Sequence, residues 1–137
     1  MTYLLQIMLG TDRKARIGSL GGVHFKKGTY FYVGSAKVGL KARIRRHLSR
    51  KKNIFWHIDH LLSSNQAKIK KIWINARAME CQMAREFKRQ GYDFIKKFGS
   101  SDCPCKSHLF FIRKNISEVQ NLLKSKGFKN ADKSSFR

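Results

Sequence analysis

The sequence predicts a single α/β domain, and three features point there. Short apolar stretches bounded by turn residues alternate along the chain with stretches whose apolar residues recur at helical spacing. The pair Gly21-Gly22 separates two short β-prone runs, a hairpin signal. A chain of 137 residues with 42% hydrophobic content is long enough for one packed core.

Taken in order, residues 3–9 are apolar and read as a buried first strand. Gly10-Thr11-Asp12-Arg13 is a turn. Residues 15–20 and 23–25 form the two arms of the hairpin, and residues 29–33 the next strand. Leu40, Ile44, His47 and Leu48 mark one face of a helix over 39–51. Its other face carries Lys41, Arg45 and Arg46, free to meet phosphates. Phe55, Ile58, Asp59 and Leu62 describe a short second helix, with Asn53 as its cap. Residues 68–74 alternate basic with apolar and read as a strand with one exposed basic face, Lys68 and Lys70 included. Ala76, Met79, Glu80, Met83, Ala84 and Phe87 describe a third helix, stopped by Gly91. A loop rich in Gly, Ser and Cys covers 92–106, and 107–113 is the last strand. Asn115 caps a final helix that turns Ile116, Val119, Leu122 and Leu123 inward. The domain is expected over 1–128, with 129–137 a frayed polar, basic tail. There is no internal repeat.

Charge narrows the function. Thirty Lys and Arg stand against 8 Asp and Glu, a net +22. Such a field attracts polyanions, with nucleic acid, DNA or RNA, the expected partner. A membrane partner is not expected: no apolar run is long enough to span a bilayer, and no basic amphipathic helix stands apart from the core. No obligate protein partner is evident. The N-terminus lacks a charged region before its apolar residues, so no signal peptide is expected. Three cysteines, an odd number, fit a reducing cytoplasm better than a disulfide framework. The acids (Asp12, Asp59, Glu80, Glu86, Asp93, Asp102, Glu118, Asp132) are scattered, which suits a one-metal site better than a two-metal nuclease centre.

The richest stretch runs from Gly28 to His47. A strand bearing Tyr30 and Tyr32 ends at Gly34, and a basic helix follows. On that helix Arg43 and His47 share a face, being four residues apart. A phenol and a guanidinium brought together at such a turn suit work on a phosphate. Taken singly, a strand tyrosine, a helix arginine and an exposed glutamate each have ordinary structural roles.

The run Tyr32-Val33-Gly34, followed by Leu40, Arg43 and His47, resembles the second half of the GIY-YIG nuclease motif. Thr2-Tyr3-Leu4 resembles the first half, with Met1-Thr2 replacing the usual Gly-Ile and a longer gap between the halves. Trp56-His57-Ile58-Asp59, Glu80-Cys81 and the run from Phe98 to Leu109 are similar to a small stand-alone branch of that superfamily. The resemblance implies a small, mainly antiparallel sheet flanked by helices, with the hairpin filling the longer gap. It implies a metal-dependent endonuclease. Tyr32 would activate water and Tyr3 support it. Arg43 would hold the scissile phosphate and His47 assist proton transfer. Glu80 would bind one divalent ion, Mg²⁺ or Mn²⁺.

Cys81, Cys103, Cys105 and His108 supply four ligands of the kind zinc takes. Three reduced thiols with no metal fit the sequence as well. His57 and Asp59 point to different faces of a helix, so they are not expected to share an ion; His57 belongs either to the core or to the cleft beside Arg43. The rival to catalysis is a nucleic-acid-binding module, of RNA in particular, using Lys68, Lys70 and aromatics such as Phe55 and Trp73.

Overall fold

In chain order the elements are β1 (Thr2–Leu9), β2 (Arg13–Ile17), β3 (Gly21–Phe25), β4 (Gly28–Ser35), α1 (Leu40–Leu48), α2 (His57–Leu62), β5 (Ala67–Asn75), α3 (Glu80–Arg89), β6 (Asp93–Phe94), β7 (Leu109–Ile112), α4 (Ile116–Ser125) and β8 (Lys129–Ala131). The structure, a computed structural model, describes residues 1–137.

Strand β1 is apolar on both faces because both faces are covered. Leu4 and Leu5 point to opposite sides of the sheet, and each is fully buried. It pairs with β4 on one side and β5 on the other, at the centre of a six-stranded sheet ordered β6-β7-β4-β1-β5-β8. All of these pairings are antiparallel. On one face Tyr3, Leu5, Ile7 and Leu9 pack against Ile44 of α1, Ile58 and Leu61 of α2, and Phe25 of the hairpin. On the other, Leu4, Phe31 and Val33 pack against Met83 and Phe87 of α3 and Val119 and Leu123 of α4. The protein is thus mixed α/β, a mainly antiparallel sheet flanked by four helices. No helix is long and apolar enough to cross a membrane.

The hairpin lies between β1 and β4, but its reversal is a 3₁₀ turn at Gly18–Leu20, so Gly21-Gly22 opens the second arm instead of forming the turn. The last nine residues are not a frayed tail. β8 pairs with β5 as the sheet edge, and a 3₁₀ turn at Lys133–Phe136 tucks Phe136 into the core at 6% exposure. Polar composition concealed a single buried anchor. Asn115 takes a left-handed conformation and makes no side-chain cap bond. Trp73 does not face solvent: it is buried and donates its indole N–H to Gln6 at 3.2 Å, which removes it from any nucleic-acid surface.

The cap of α2 is also reassigned. Asn53 offers only its carbonyl, to Arg46. Asp59, completely buried, reaches back and accepts the N–H groups of Phe55 at 2.9 Å and Trp56 at 2.8 Å. Arg46 forks onto both of its oxygens at 2.8 and 2.9 Å. Burial alone would raise the Asp59 carboxyl, but these bonds outweigh it and hold the group below the usual carboxylate range. Arg46, expected on the phosphate-facing side of its helix, is instead committed to tying α1 to α2.

Candidate active site

Register explains why two tyrosines meet. Tyr3 lies opposite Gly34 and Leu5 opposite Tyr32, so both phenols occupy the same face of the β1–β4 pair as diagonal neighbours. Their ring centroids are 6.5 Å apart. Gly34 makes the arrangement possible. A Cβ placed there would sit 2.5 Å from Tyr3 Oη and closer still to the ring. The Tyr3 phenol lies directly over that bare backbone and meets Nε2 of His47 at 2.7 Å.

Helix α1 contributes the cations. Arg43 is held at its base: one guanidinium nitrogen donates to the Ser35 carbonyl at 2.7 Å, and the group lies over the Trp56 ring at 4.8 Å. Arg46 lies over the same ring at 4.5 Å. One turn past Arg43, His47 is 3% exposed, and burial, with Lys52 adding, holds its imidazole down to about 3. It is a neutral partner for Tyr3.

Tyr3, Tyr32, Ser35, Arg43 and Trp56 line one cleft of about 380 Å³ together with Phe55, His57, Glu80, Gly99, Ser101 and Asp102, while Arg46 and the buried His47 stand behind its wall. Glu80 is the first residue of α3, not an interior one, because Ala76 to Met79 precede the helix. Thr2 fixes that entry by accepting the Met79 N–H and donating to the Arg77 carbonyl, each at 2.7 Å. The Glu80 side chain is 31% exposed. Burial and the nearby Asp102 push its carboxyl up, which Ser35 and Arg43 offset in part. Two carboxylates lining one partly desolvated cleft suit a hard cation, which needs few protein oxygens and keeps its waters.

The phenols do not respond to their cationic surroundings as the sequence suggested. Burial is the largest influence and raises both Tyr3 and Tyr32; Arg43 offsets a fraction, and Glu80 adds to the rise. Both are protonated at neutral pH. The Tyr32 hydroxyl makes no hydrogen bond within the protein and opens to the cleft.

His57 resolves to the cleft. Its Nδ1 accepts the Gly99 N–H at 2.9 Å, so in the neutral ring Nε2 carries the proton. Ser101 and Asp102, in the loop before β7, and Ser35, the last residue of β4, were not singled out as site residues in the sequence. Beside the cleft, Cys81, Cys103, Cys105 and His108 bring their ligand atoms within 4.8 Å of one another, a cluster able to hold a metal ion. Burial, followed by the neighbouring thiols, makes Cys105 a very weak acid in the absence of a cation.

The expected phosphate contacts divide. Lys41 is exposed on α1. Arg45 donates to the Phe136 carbonyl at 2.9 Å. Lys68 and Lys70 are exposed, but Lys68 pairs with Met8 while Tyr3 pairs with Ile74. That places Lys68 on the order of 17 Å along the strand from the tyrosine. The largest groove, about 560 Å³, lies elsewhere, against β6 and β7; its charges are mostly dispersed cations, and its Asp93 is paired with Arg113. The convergent chemistry is in the smaller cleft.

Gly34→Ala is expected to separate Tyr3 from His47, with a loss of about 1–3 kcal/mol from overpacking. Chemical denaturation measures the stability change, and the pH titration of His47 by NMR reports the broken bond.

No curated protein matches the chain, and no solved structure does. The family model described as "Domain of unknown function DUF123" matches residues 2–128, nearly the whole length, and the chain belongs to that family.

Proposed function

We propose that the protein is an endonuclease of the GIY-YIG type, hydrolysing phosphodiester bonds with one divalent ion, Mg²⁺ or Mn²⁺, and acting on DNA ahead of RNA. The convergence of Tyr3, Tyr32, Arg43 and Glu80 on one cleft carries this reading. Arg43 keeps guanidinium N–H groups beyond the one bound to Ser35, and these clamp phosphate oxygens. Tyr32 presents its oxygen to the attacking water. Burial first, and Glu80 after it, keep that phenol protonated, with Arg43 offsetting them in part, so it positions the water by hydrogen bonding and the bound ion would ease that water's loss of a proton. Tyr3, held by neutral His47, fixes the face on which Tyr32 stands. His57 offers an N–H in the same cleft for a leaving or bridging oxygen. Glu80, with Asp102, would hold the ion, which supplies a lowered water pKa and positive charge against the pentavalent phosphate. Phe55, 71% exposed at the rim, is suited to stacking on an unpaired base.

The Cys–His cluster suits Zn²⁺. Tetrahedral zinc bonds of about 2.3 Å to sulfur and 2.0 Å to nitrogen place neighbouring S and N ligands about 3.6 Å apart. Cys103 Sγ and His108 Nε2 stand at 3.5 Å.

The test is nicking of supercoiled plasmid, and cleavage of RNA, with Mg²⁺ and with EDTA. Cleavage is expected to require the ion and to fall about 10²-fold in Tyr32→Phe, the usual cost of a misplaced reacting group. Salt-sensitive binding with no cleavage under any divalent ion would leave a nucleic-acid-binding module.

A further inference from the structure

Residues that line the cleft and residues of the thiol cluster alternate along the same two pieces of chain. On α3, Glu80 enters the cleft and Cys81 the cluster. In the loop before β7, Gly99, Ser101 and Asp102 line the cleft, while Cys103 and Cys105 belong to the cluster. Gly99, at φ +68°, threads between the two: a Cβ there would lie 3.3 Å from the Tyr32 ring and 3.4 Å from His108 Cβ.

His108 stands at the junction. Its side chain is 2% exposed. Its backbone is fixed on both sides, the N–H donating to Phe98 at 2.8 Å and the carbonyl accepting from Val33 at 2.9 Å. One ring nitrogen, Nε2, faces the thiols, 3.5 Å from Cys103 Sγ. The other, Nδ1, is buried with no hydrogen-bond partner, and the group it faces is Glu80 Oε2 at 3.6 Å. A buried ring nitrogen left without a partner is uncommon and calls for a reason.

We infer that His108 is a bridge between two metal sites: it ligates zinc through Nε2 and donates Nδ1–H to Glu80, so that loading the thiol cluster sets the carboxylate that binds the catalytic ion. A neutral imidazole carries one N–H. Ligation through Nε2 leaves that proton on Nδ1, aimed at Glu80. A shift of a few tenths of an ångström then closes 3.6 Å into an ordinary hydrogen bond. Carboxylate–histidine–metal chains of this form set ring orientation and ligand basicity. Here the carboxylate at the end of the chain has a second task in the cleft. The zinc also ties the loop bearing Asp102 to the helix bearing Glu80, so one ion holds both cleft carboxylates in register. His108 is a positioning residue in this scheme, and the inference rests on Glu80 being an ion ligand, as proposed above.

The test uses the full chain loaded with zinc. His108→Cys keeps four soft ligands and is expected to keep its zinc while lacking the N–H. Its affinity for Mn²⁺, followed by the EPR signal of the free ion, is expected to fall about 10-fold or more, as for other outer partners of metal ligands. Glu80→Gln is expected to retain zinc and lose Mn²⁺ binding. In zinc-loaded wild type, nitrogen-15 spectra are expected to show His108 protonated on Nδ1, with a slowly exchanging proton whose resonance moves in Glu80→Gln; this measurement needs no change at His108. A His108→Cys protein that holds zinc and binds Mn²⁺ as wild type does overturns the bridge alone, as does an unprotonated Nδ1 in the loaded protein. Wild-type protein that binds no Mn²⁺, or Glu80→Gln that binds it undiminished, refutes the hydrolytic assignment of Glu80 and the bridge with it.

Discussion

Glu80→Gln is expected to reduce ion-dependent nicking of plasmid by about 10³-fold or more while leaving the protein as stable as wild type. The rate loss follows from charge. An ion in the cleft supplies several kcal/mol of transition-state stabilisation, and each 1.36 kcal/mol is about a factor of ten. Stability follows from the sign of the pKa shift. Burial and Asp102 raise the Glu80 carboxyl, so folding penalises its ionised form. A raised group contributes stability below its unfolded pKa and loses it as pH rises through the folded value. At neutral pH and without a divalent ion, ionised Glu80 is a burden, and neutral glutamine relieves it. Thermal melts in EDTA test this: an unchanged or higher midpoint is expected. With Mg²⁺ present the order should reverse, because only wild type gains from binding.

Asp59→Ala is expected to do the opposite, removing about 3 kcal/mol of stability. Asp59 is entirely buried and answers three donors: Arg46, Phe55 N–H and Trp56 N–H. Breaking a buried pair from one side typically costs about 3–5 kcal/mol, because the remaining charge is stranded. The Arg46 side chain is 28% exposed and can recover some hydration, which places the loss at the lower end. Urea denaturation at pH 7 measures it. The folded pKa of Asp59 is depressed, so its contribution is present above the unfolded value of about 4 and disappears as pH falls through the folded one. The acid limb of the stability profile should therefore be shallower in Asp59→Ala than in wild type. The substitution also loosens Trp56, over which Arg43 lies, so phosphate affinity should weaken with the fold still intact.

Apart from the family resemblance, which singled out Glu80, the residues themselves could not rank the two acids. Each is a carboxylate in the first turn of a helix within a basic chain. One is sealed under Arg46 and the other looks into a cleft, and nothing in their neighbours along the chain distinguishes them. Arg43 and Arg46 present the same problem. They are three residues apart on one helix, yet one keeps free N–H groups at the cleft and the other is spent on Asp59. Trp73 and Trp56 divide likewise: one is core, the other a platform for guanidinium groups. Side-chain partnership over 10 or more residues is a property of packing, and hydrophobic periodicity carries no record of it. Phe136 is a smaller case, a lone aromatic in a polar tail that becomes an anchor because a pocket between α1 and the sheet waits for it.

The main strands and helices were legible in the sequence, while the hairpin turn, the caps at Asn53 and Asn115 and the edge strand in the polar tail were not. The strand and helix class, the burial of residues 3–9 and the shared face of Arg43 and His47 follow from spacing and apolar content, since the pleat and the helical turn have fixed periods. Net charge, read by counting, set the polyanion expectation. Tertiary structure alone decided that Tyr3 and Tyr32 fall on one face of a β pair, that Glu80 begins its helix at the cleft's edge, and that His108 stands between that carboxylate and three thiols. Those facts depend on register or loop path between residues far apart in the chain, 29 positions from Tyr3 to Tyr32 and 28 from Glu80 to His108, and such distances are set by how the whole chain closes on itself.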